Sequence, residues 1–482
     1  EQILPLDPLA PADALRLFAT LAPADSVSDP AVAELCTRLD NLPLAIQLAA
    51  ARSTIMSPQQ MLERIDRRFD VIAALARSIQ TSTELLSPSE GRLFRACSIF
   101  AGESDLPALE AVAGPDATIE NLASLIDQAL LTIDRTSGEI RYRQLESLRS
   151  YGRRWAEELA ETDSLCAAHA THFSDLVLRT ASDLNGPEQA AALRTFDRDH
   201  ANFANALAWI VEQHIPASAI PAATAYGRLS RRRATPLDGI AWLERARALP
   251  TAIDQPGALT AANELGLLYV ASGRLDQAES LFRETIQRAT EIGSVSEAGR
   301  AWDNLGLVLR SRGDVAGATR AHQTGLDLLL AVDDRRGAGS CRLNLALAAN
   351  LAGDLEAAKV GCHEALALLG GSDDLWSVAS ILSNLGEIAG RQGRTDEAAD
   401  YFERVIEIYR RLEDHDHLAI VAANTAEMRI VRGQYRSAEL LIAQAVDQFR
   451  ADHNQIQLAP SLYLQAAVFA SLGENTHALA IF

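Results

Sequence analysis

The chain has 482 residues, too many for one ordinary domain, with 48% hydrophobic and only 5% aromatic residues. Its net charge of −20 excludes a protein that coats nucleic acid by bulk positive charge. Alanine and leucine dominate and β-branched runs are few, which predicts a mainly α fold. The cysteines, Cys36, Cys97, Cys166, Cys341 and Cys362, are odd in number and lack C-x-x-C spacing. That argues against a disulfide framework or a zinc site and predicts a reducing, cytoplasmic setting. No charge-free run of 18 apolar residues occurs, so neither a membrane span nor a membrane partner is expected. The sequence opens Glu-Gln-Ile, without methionine, and stops at Phe482 inside an amphipathic stretch, as expected of a piece of a longer protein.

Residues 1–72 read as helices. Leu15, Leu17 and Phe18 follow Pro11 at helical spacing, and a second helix opens at Asp29-Pro30 and carries Val32, Leu35, Cys36 and Leu39. Next comes Leu39-Asp40-Asn41-Leu42-Pro43-Leu44-Ala45-Ile46-Gln47-Leu48. Proline is tolerated in the first turn of a helix, so Pro43 is expected to open one, capped by Asp40 or Asn41. Ser57-Pro58 starts a further helix through Ile65. With Leu4-Pro5-Leu6 and Asp13-Ala14, these segments resemble the ARC-like helical domain that follows the nucleotide-binding core in NB-ARC-type signal-transduction ATPases (STAND proteins). The similarity is to the bacterial AfsR/SARP and LuxR-like multidomain regulators. Residues 41–45 are similar to that family's GLPLA motif, with Asn41 in place of glycine. The resemblance implies that Pro43 packs against an adenine nucleotide, ADP or ATP, held by an upstream nucleotide-binding domain. The residues alone require only a helix start. No G-x-x-x-x-G-K-[ST] occurs, and Lys359, far along the chain, is the only lysine. Without loop amides and a lysine nothing cradles phosphates. No enzymatic activity and no cofactor is expected of this chain itself; ADP or ATP belongs to the full-length parent.

Residues 84–160 form the next unit. A helix opens at Ser87-Pro88, a second covers residues 106–112 and a third residues 118–131. Residues 131–142 then alternate around a Ser-Gly turn, the signature of one small β-hairpin. Three helices and a hairpin is the winged-helix order. The third helix carries Glu120 and Asp127 and no basic residue, which is wrong for a DNA-reading helix. Arg135, Arg141, Arg143, Arg149, Arg153 and Arg154 gather nearby and read as a solvated rim or as intramolecular contacts. Leu145-Glu146-Ser147-Leu148-Arg149-Ser150-Tyr151 resembles the LET-x-REY segment of the bacterial family. Where plant and animal relatives carry His-Asp this chain has Leu145-Glu146, so the resemblance implies a relay of the switch state rather than a phosphate contact.

Residues 161–257 read as a helical linker ending in a degenerate first repeat at 228–249. His169-Ala-Thr-His172 has no third ligand nearby in sequence, so no metal site is expected. The stretch from Asp199 through Asn202 and Asn205 to Trp209 resembles an EHDN-x-x-x-AL-x-W pattern of the bacterial regulators. Arg231-Arg232-Arg233 reads as a solvated turn.

The repeats, residues 258–482, carry the clearest signal. Gly273, Gly313, Gly353, Gly393, Gly433 and Gly473 recur every 40 residues. An alanine follows each by five positions, from Ala278 to Ala478, and a small residue precedes each by seven, from Gly266 to Ala466. This predicts helix hairpins in which the small residue meets the alanine and the later glycine turns left-handed. The pattern resembles tetratricopeptide repeats lengthened to 40 residues, stacked into a right-handed α-solenoid; a HEAT array shares the period but not the small–glycine–alanine triplet. Asn304, Asn344, Asn384 and Asn424 precede the small residue of four copies, where tetratricopeptide proteins often point an asparagine into the concave groove. Such amides either grip a bound peptide's backbone or only bond to neighbouring helices. The resemblances to the NB-ARC-type regulators and to tetratricopeptide repeats together imply that the chain is the regulatory, partner-sensing part of a bacterial signal-transduction ATPase and transcriptional regulator. Its concave face would take a protein or peptide, and DNA would be bound only through a domain outside this chain. Two alternatives are an interaction scaffold without a nucleotide switch and direct DNA binding by the winged helix.

Overall fold

The computed structural model describes residues 9–22, 30–41, 43–53, 56–65, 79–80, 82–135, 138–369, 374–451 and 454–481. Leu4-Pro5-Leu6, Asp29, Leu42, Ser137 and Phe482 lie outside the described residues. The chain divides into two compact units, Glu1–Asp175 with Asp199–Ile210, and Leu176–Arg198 with Val211–Phe482.

Among the described residues the first unit begins with four helices, Pro11–Leu21, Ala31–Arg38, Pro43–Arg52 and Pro58–Ile65. They pack around Phe18, Leu35, Ile46 and Met61, all fully buried. Pro43 opens its helix as expected and is exposed. The expected cap is different. Asp40 and Asn41 are both left-handed, at φ 55° and 51°, whereas a helix-capping residue is normally extended. Among the described residues the Asn41 Oδ1 has no hydrogen-bond partner, and the Asp40 carboxylate serves another helix, described below.

Three capped helices follow. Ser87 and Glu90 form a reciprocal capping box on Pro88–Cys97, Asp105 caps Leu106–Ala113 and Thr118 caps Ile119–Asp127. The third ends four residues short of Leu131. Ala129 turns left-handed at φ 56°, and the amides of Leu130 and Leu131 both return to the Leu125 carbonyl. Strands β1 (Thr132–Asp134) and β2 (Arg141–Arg143) pair antiparallel, with Ile133 opposite Tyr142, and Gly138 takes the turn at φ 80°. The helix Glu146–Glu158 then returns across Pro88–Cys97, where Phe94 meets Tyr151 and Trp155.

The second unit is an α-solenoid. A hairpin of Pro216–Arg232 and Pro236–Arg247 starts twelve residues earlier than the degenerate repeat was expected to. Six hairpins follow, with first helices Ala258–Ala271, Val295–Ser311, Arg335–Leu351, Leu375–Arg391, His415–Val431 and Gln455–Ser471, hereafter the A helices. Their B helices are Leu275–Glu291, Val315–Ala331, Leu355–Leu369, Thr395–Arg411, Tyr435–Ala451 and Asn475–Ile481. Two 17-residue helices, each with a three-residue turn, account for the 40-residue period. The repeating glycines all have positive φ, from 73° at Gly393 to 86° at Gly353, as the turn after helix A demands. Among the described residues no helix is long and apolar enough to cross a membrane.

One packing expectation is corrected. The alanines are buried, but what sits on the small residue of helix A is the side chain one turn after the alanine. A Cβ on Gly266 would lie 2.3 Å from the ring of Phe282, one on Gly306 2.5 Å from that of His322, and one on Gly386 2.7 Å from that of Phe402. The glycine is needed because a ring occupies the volume its side chain would take.

Candidate functional site

A cavity of about 540 Å³ opens in the second unit. The first four A helices line it, together with the end of Pro216–Arg232. Each A helix offers the same face one repeat further on, so residues 40 apart become neighbours along one wall. Asn304 and Asn344 line the cavity, each 9% exposed. Asn384, whose Nδ2 donates to the Ser380 carbonyl of its own helix at 2.8 Å, is half-buried, and Asn424 is exposed. Neither of those two is among the residues lining this cavity.

The wall is built on a carboxylate that the asparagine register misses by one position. Asp303 is 6% exposed. It accepts from Asn344 Nδ2 at 3.1 and 3.2 Å and from Ser340 Oγ at 3.1 Å, and His322 Nδ1 lies 2.6 Å from its Oδ1. Hairpins two and three are thereby joined at one side chain. Asn263, at the matching position of the first A helix, donates to Glu297 and lies 3.5 Å from Asn304. Two signals in the sequence mark this hub. One position before the asparagine row the register reads Asn263, Asp303, Leu343, Ser383, and the ring position of the B helices reads Phe282, His322, Cys362, Phe402. Polar residues recur in the first series, and a histidine interrupts the second.

Arginines form the other half of the wall. Arg231-Arg232-Arg233 is not a solvated turn, because its three side chains are used in three ways. Arg231 makes a two-point bond to Glu264, which is 5% exposed and occupies the asparagine position of the first hairpin. That carboxylate raises the Arg231 pKa above the usual guanidinium value. Arg232 lies over the ring of Trp376 at 4.0 Å, and burial, followed by the neighbouring Arg231 charge, lowers its pKa to about 10. Arg233 pairs with Asp197.

In the first unit the structure converts two motifs into joints. Asp40, three residues before Pro43, accepts from the amides of Glu146 and Ser147 at 2.7 and 2.9 Å and from Ser147 Oγ at 2.9 Å. It thus caps the LESLRSY helix from a distant part of the chain, where a carboxylate also meets the positive end of the helix dipole. The DHAN stretch clamps the loop before the helix Leu106–Ala113. Asn202 accepts from the Ala101 amide and donates to the Glu103 carbonyl, both at 2.9 Å, and Asn205 donates to the Ile99 carbonyl. Asp199 and Arg141 are 2% and 1% exposed and lie 2.5 Å apart. Arg149 and Arg153 donate to the carbonyls of Phe100, Ser98 and Ile99. Arg141, Arg149 and Arg153 are therefore intramolecular contacts; Arg154, though exposed, pairs with Glu158 and lies over the Tyr151 ring, and Arg135 and Arg143 are exposed.

His169 is 1% exposed and packs against Phe173 and Phe100 at 4.5 and 5.2 Å. Among the described residues no group of three His, Cys, Asp or Glu could hold a metal. Burial pushes the His169 imidazole down to about 3, with Asn202, His172 and Arg153 as smaller influences. The folded value lies below the unfolded one near 6.5, so the unfolded state takes the proton first. The contribution of His169 is complete above about pH 6.5 and is lost as pH falls toward 3, at up to about 1.4 kcal/mol per pH unit. Urea melts at pH 7.0 and 5.0 are expected to show wild type losing more stability than His169→Phe over that step. Equal losses would remove His169 as the cause.

The tetratricopeptide repeat pattern matches residues 258–292 and 377–451. A Mycobacterium tuberculosis protein that bears the name of an HTH-type transcriptional regulator is 29% identical over 347 residues, covering 64% of this chain and 38% of that protein. The regulatory protein AfsR of Streptomyces coelicolor is 26% identical over 464 residues, covering 92% of this chain and 40% of its own length. The chain thus spans about two fifths of the length of these relatives. A solved signal-transduction ATPase with numerous domains and a tetratricopeptide repeat sensor, from Pyrococcus horikoshii, aligns over 99% of this chain and 71% of its own. Its identity is 14% and its TM-score 0.47. The chain carries tetratricopeptide repeats and is similar to AfsR and to mycobacterial proteins that bear the name of HTH-type transcriptional regulators.

Proposed function

We propose that this chain is the regulatory and partner-sensing part of a bacterial signal-transduction ATPase and transcriptional regulator, and that its repeats bind a protein or peptide. The observation that carries the reading is the row of amide and charged side chains set along one cavity by successive A helices. An extended peptide presents backbone donors and acceptors at regular intervals, and Asn304 and Asn344 offer both kinds of group along that wall. Asn384 and Asn424 continue the row at the same helical position. The division into an ARC-like domain (1–72), a winged-helix-like domain (84–160), a helical linker (161–257) and repeats (258–482) belongs to this proposal. So do a cytoplasmic location and the absence of catalysis by the chain itself.

Pro43, exposed at its helix start, would face the nucleotide of an upstream core, ADP or ATP. The chain contributes no phosphate cradle to such a site, since Lys359 lies in the repeats and pairs with Glu397 at 2.8 Å. Asp40 supports a relay, because it fastens the turn before Pro43 to the helix that resembles LET-x-REY. DNA would be met by a domain outside this chain.

Affinity selection from a random heptapeptide pool on the immobilised chain tests the groove. Wild type is expected to retain peptides, and the Asn304→Ala, Asn344→Ala double variant to retain them about tenfold more weakly. Equal retention by a folded double variant would remove the asparagines from the site. No retention by wild type would remove the peptide reading.

A further inference from the structure

The asparagine row has an apolar neighbour. One position after the small residue of each A helix the register reads Leu267, Leu307, Leu347, Glu387, Glu427 and Ala467. The three leucines are half-buried and all line the cavity. Each sits one helical turn beyond the asparagine position of its own helix, on the same face. One half-exposed leucine would be ordinary, but three in line along a cavity wall make a continuous apolar strip beside the amides. The strip ends at the fourth A helix. Trp376, Ser377, Ser380 and Ile381 line the cavity from the first turns of that helix, whereas Glu387 lies outside the cavity lining and is exposed. Glu427 is likewise exposed and outside the lining. Among the described residues neither of these carboxylates has a recorded hydrogen bond or ion pair.

We infer that Leu267, Leu307 and Leu347 form a ladder for a peptide bound in the polyproline II conformation with an apolar side chain at every third residue, and that basic residues continuing this spacing meet Glu387 and Glu427. The inference rests on the reading that the cavity takes a peptide. Packed helices lie about 8–10 Å apart. A polyproline II segment rises about 9 Å per turn of three residues, so every third side chain lies on one face at the spacing of the A helices. A β-strand repeats each face at about 7 Å and falls out of step with the ladder. An α-helix comes into step every seven residues, at about 10.5 Å, but its backbone groups are bonded internally and leave nothing for Asn304 and Asn344. A polyproline II backbone has no internal hydrogen bonds and presents both donors and acceptors to those amides. Each leucine contact removes apolar surface from water, and a segment that is already extended loses little freedom on binding. The two unpaired acids select a basic flank over an acidic one.

The test uses the same immobilised chain with three heptapeptide pools of equal composition, capped at both ends. Each pool has three fixed leucines among varied Ser, Thr, Asn and Gln. Leucines at the first, fourth and seventh positions match the ladder, at the first, third and fifth a strand, and at the first, fourth and fifth one face of a helix. Wild type is expected to retain the first pool about tenfold more strongly than the other two. Leu307→Gln is expected to abolish that advantage, and Leu347→Gln carries the same test should the first variant fail to fold. The ladder pool is then lengthened by six residues, at either end, with arginine or glutamate continuing the spacing of three. At one end arginine is expected to be retained about threefold more strongly than glutamate, and Glu387→Arg, at an exposed side chain, to reverse that order. If arginine and glutamate are retained alike at both ends, the basic flank is overturned. If the random pool is retained without preference for the ladder spacing, or if the preference survives both leucine substitutions, the ladder is overturned and the groove stands. No retention of any pool by wild type overturns groove and ladder together.

Discussion

Arg141→Met is expected to cost about 3–5 kcal/mol, read as loss of hydrogen-exchange protection across residues 88–158. Arg141 is 1% exposed, lies 2.5 Å from Asp199 and 3.4 Å from Asp105, and donates to the Glu103 carbonyl at 3.1 Å. Methionine fills much of the volume but strands the Asp199 carboxylate, itself 2% exposed, with its main cationic partner gone. An uncompensated buried charge is the expensive outcome, whereas removing both members is cheap. The double variant Arg141→Met, Asp199→Leu should therefore recover most of the loss. A cost below about 1 kcal/mol for the single change, or no recovery in the double, would show that the pair is not what holds β2 to the Asp199–Asn202 stretch.

Asp303→Ala is the second large effect, at about 3 kcal/mol, confined to the second and third hairpins. The substitution leaves the fully buried His322 and the nearly buried Asn344 without their shared acceptor, while the exposed Ser340 can turn to solvent. Contacts in a solenoid run mainly between adjacent repeats, so protection should fall in residues 295–351 and persist in 395–451. His322 sits where the first and fourth hairpins place Phe282 and Phe402, against a glycine in all three. Adding His322→Phe should restore part of the loss by removing one orphaned polar group. Uniform loss of protection along the array would contradict a local hub. Asp303 also lines the cavity, so the same variant should weaken peptide retention through Asn344, which it positions.

The repeats were legible because their constraint is local and repeated. A left-handed turn needs glycine at every copy, and a helix pair needs a small residue where a ring must fit, so a fixed spacing records both. Even there, the partner of the small residue was misassigned by one turn. Spacing places residues on a face but does not say which side chain reaches across it. The order of three helices and a hairpin was legible for a similar reason, since each cap lies within three residues of the helix it starts.

Roles set by partners far away in sequence were not legible. Asp40 looks like the cap of the helix beside it, yet it caps one that begins over a hundred residues later. Arg141, Arg149 and Arg153 look like surface charge, and only folding gives them buried carbonyls and a carboxylate. Arg231 and Arg232 look like a solvated turn, and the solenoid carries them to Glu264 and Trp376. The sequence alone determined the helical period, the hairpin turns and the row of asparagines, because hydrogen bonding within a few residues and close packing dictate them. Only the tertiary structure decided which charges are spent and which remain for a ligand. A charge's partner is set by distance in space, and no spacing along the chain encodes it.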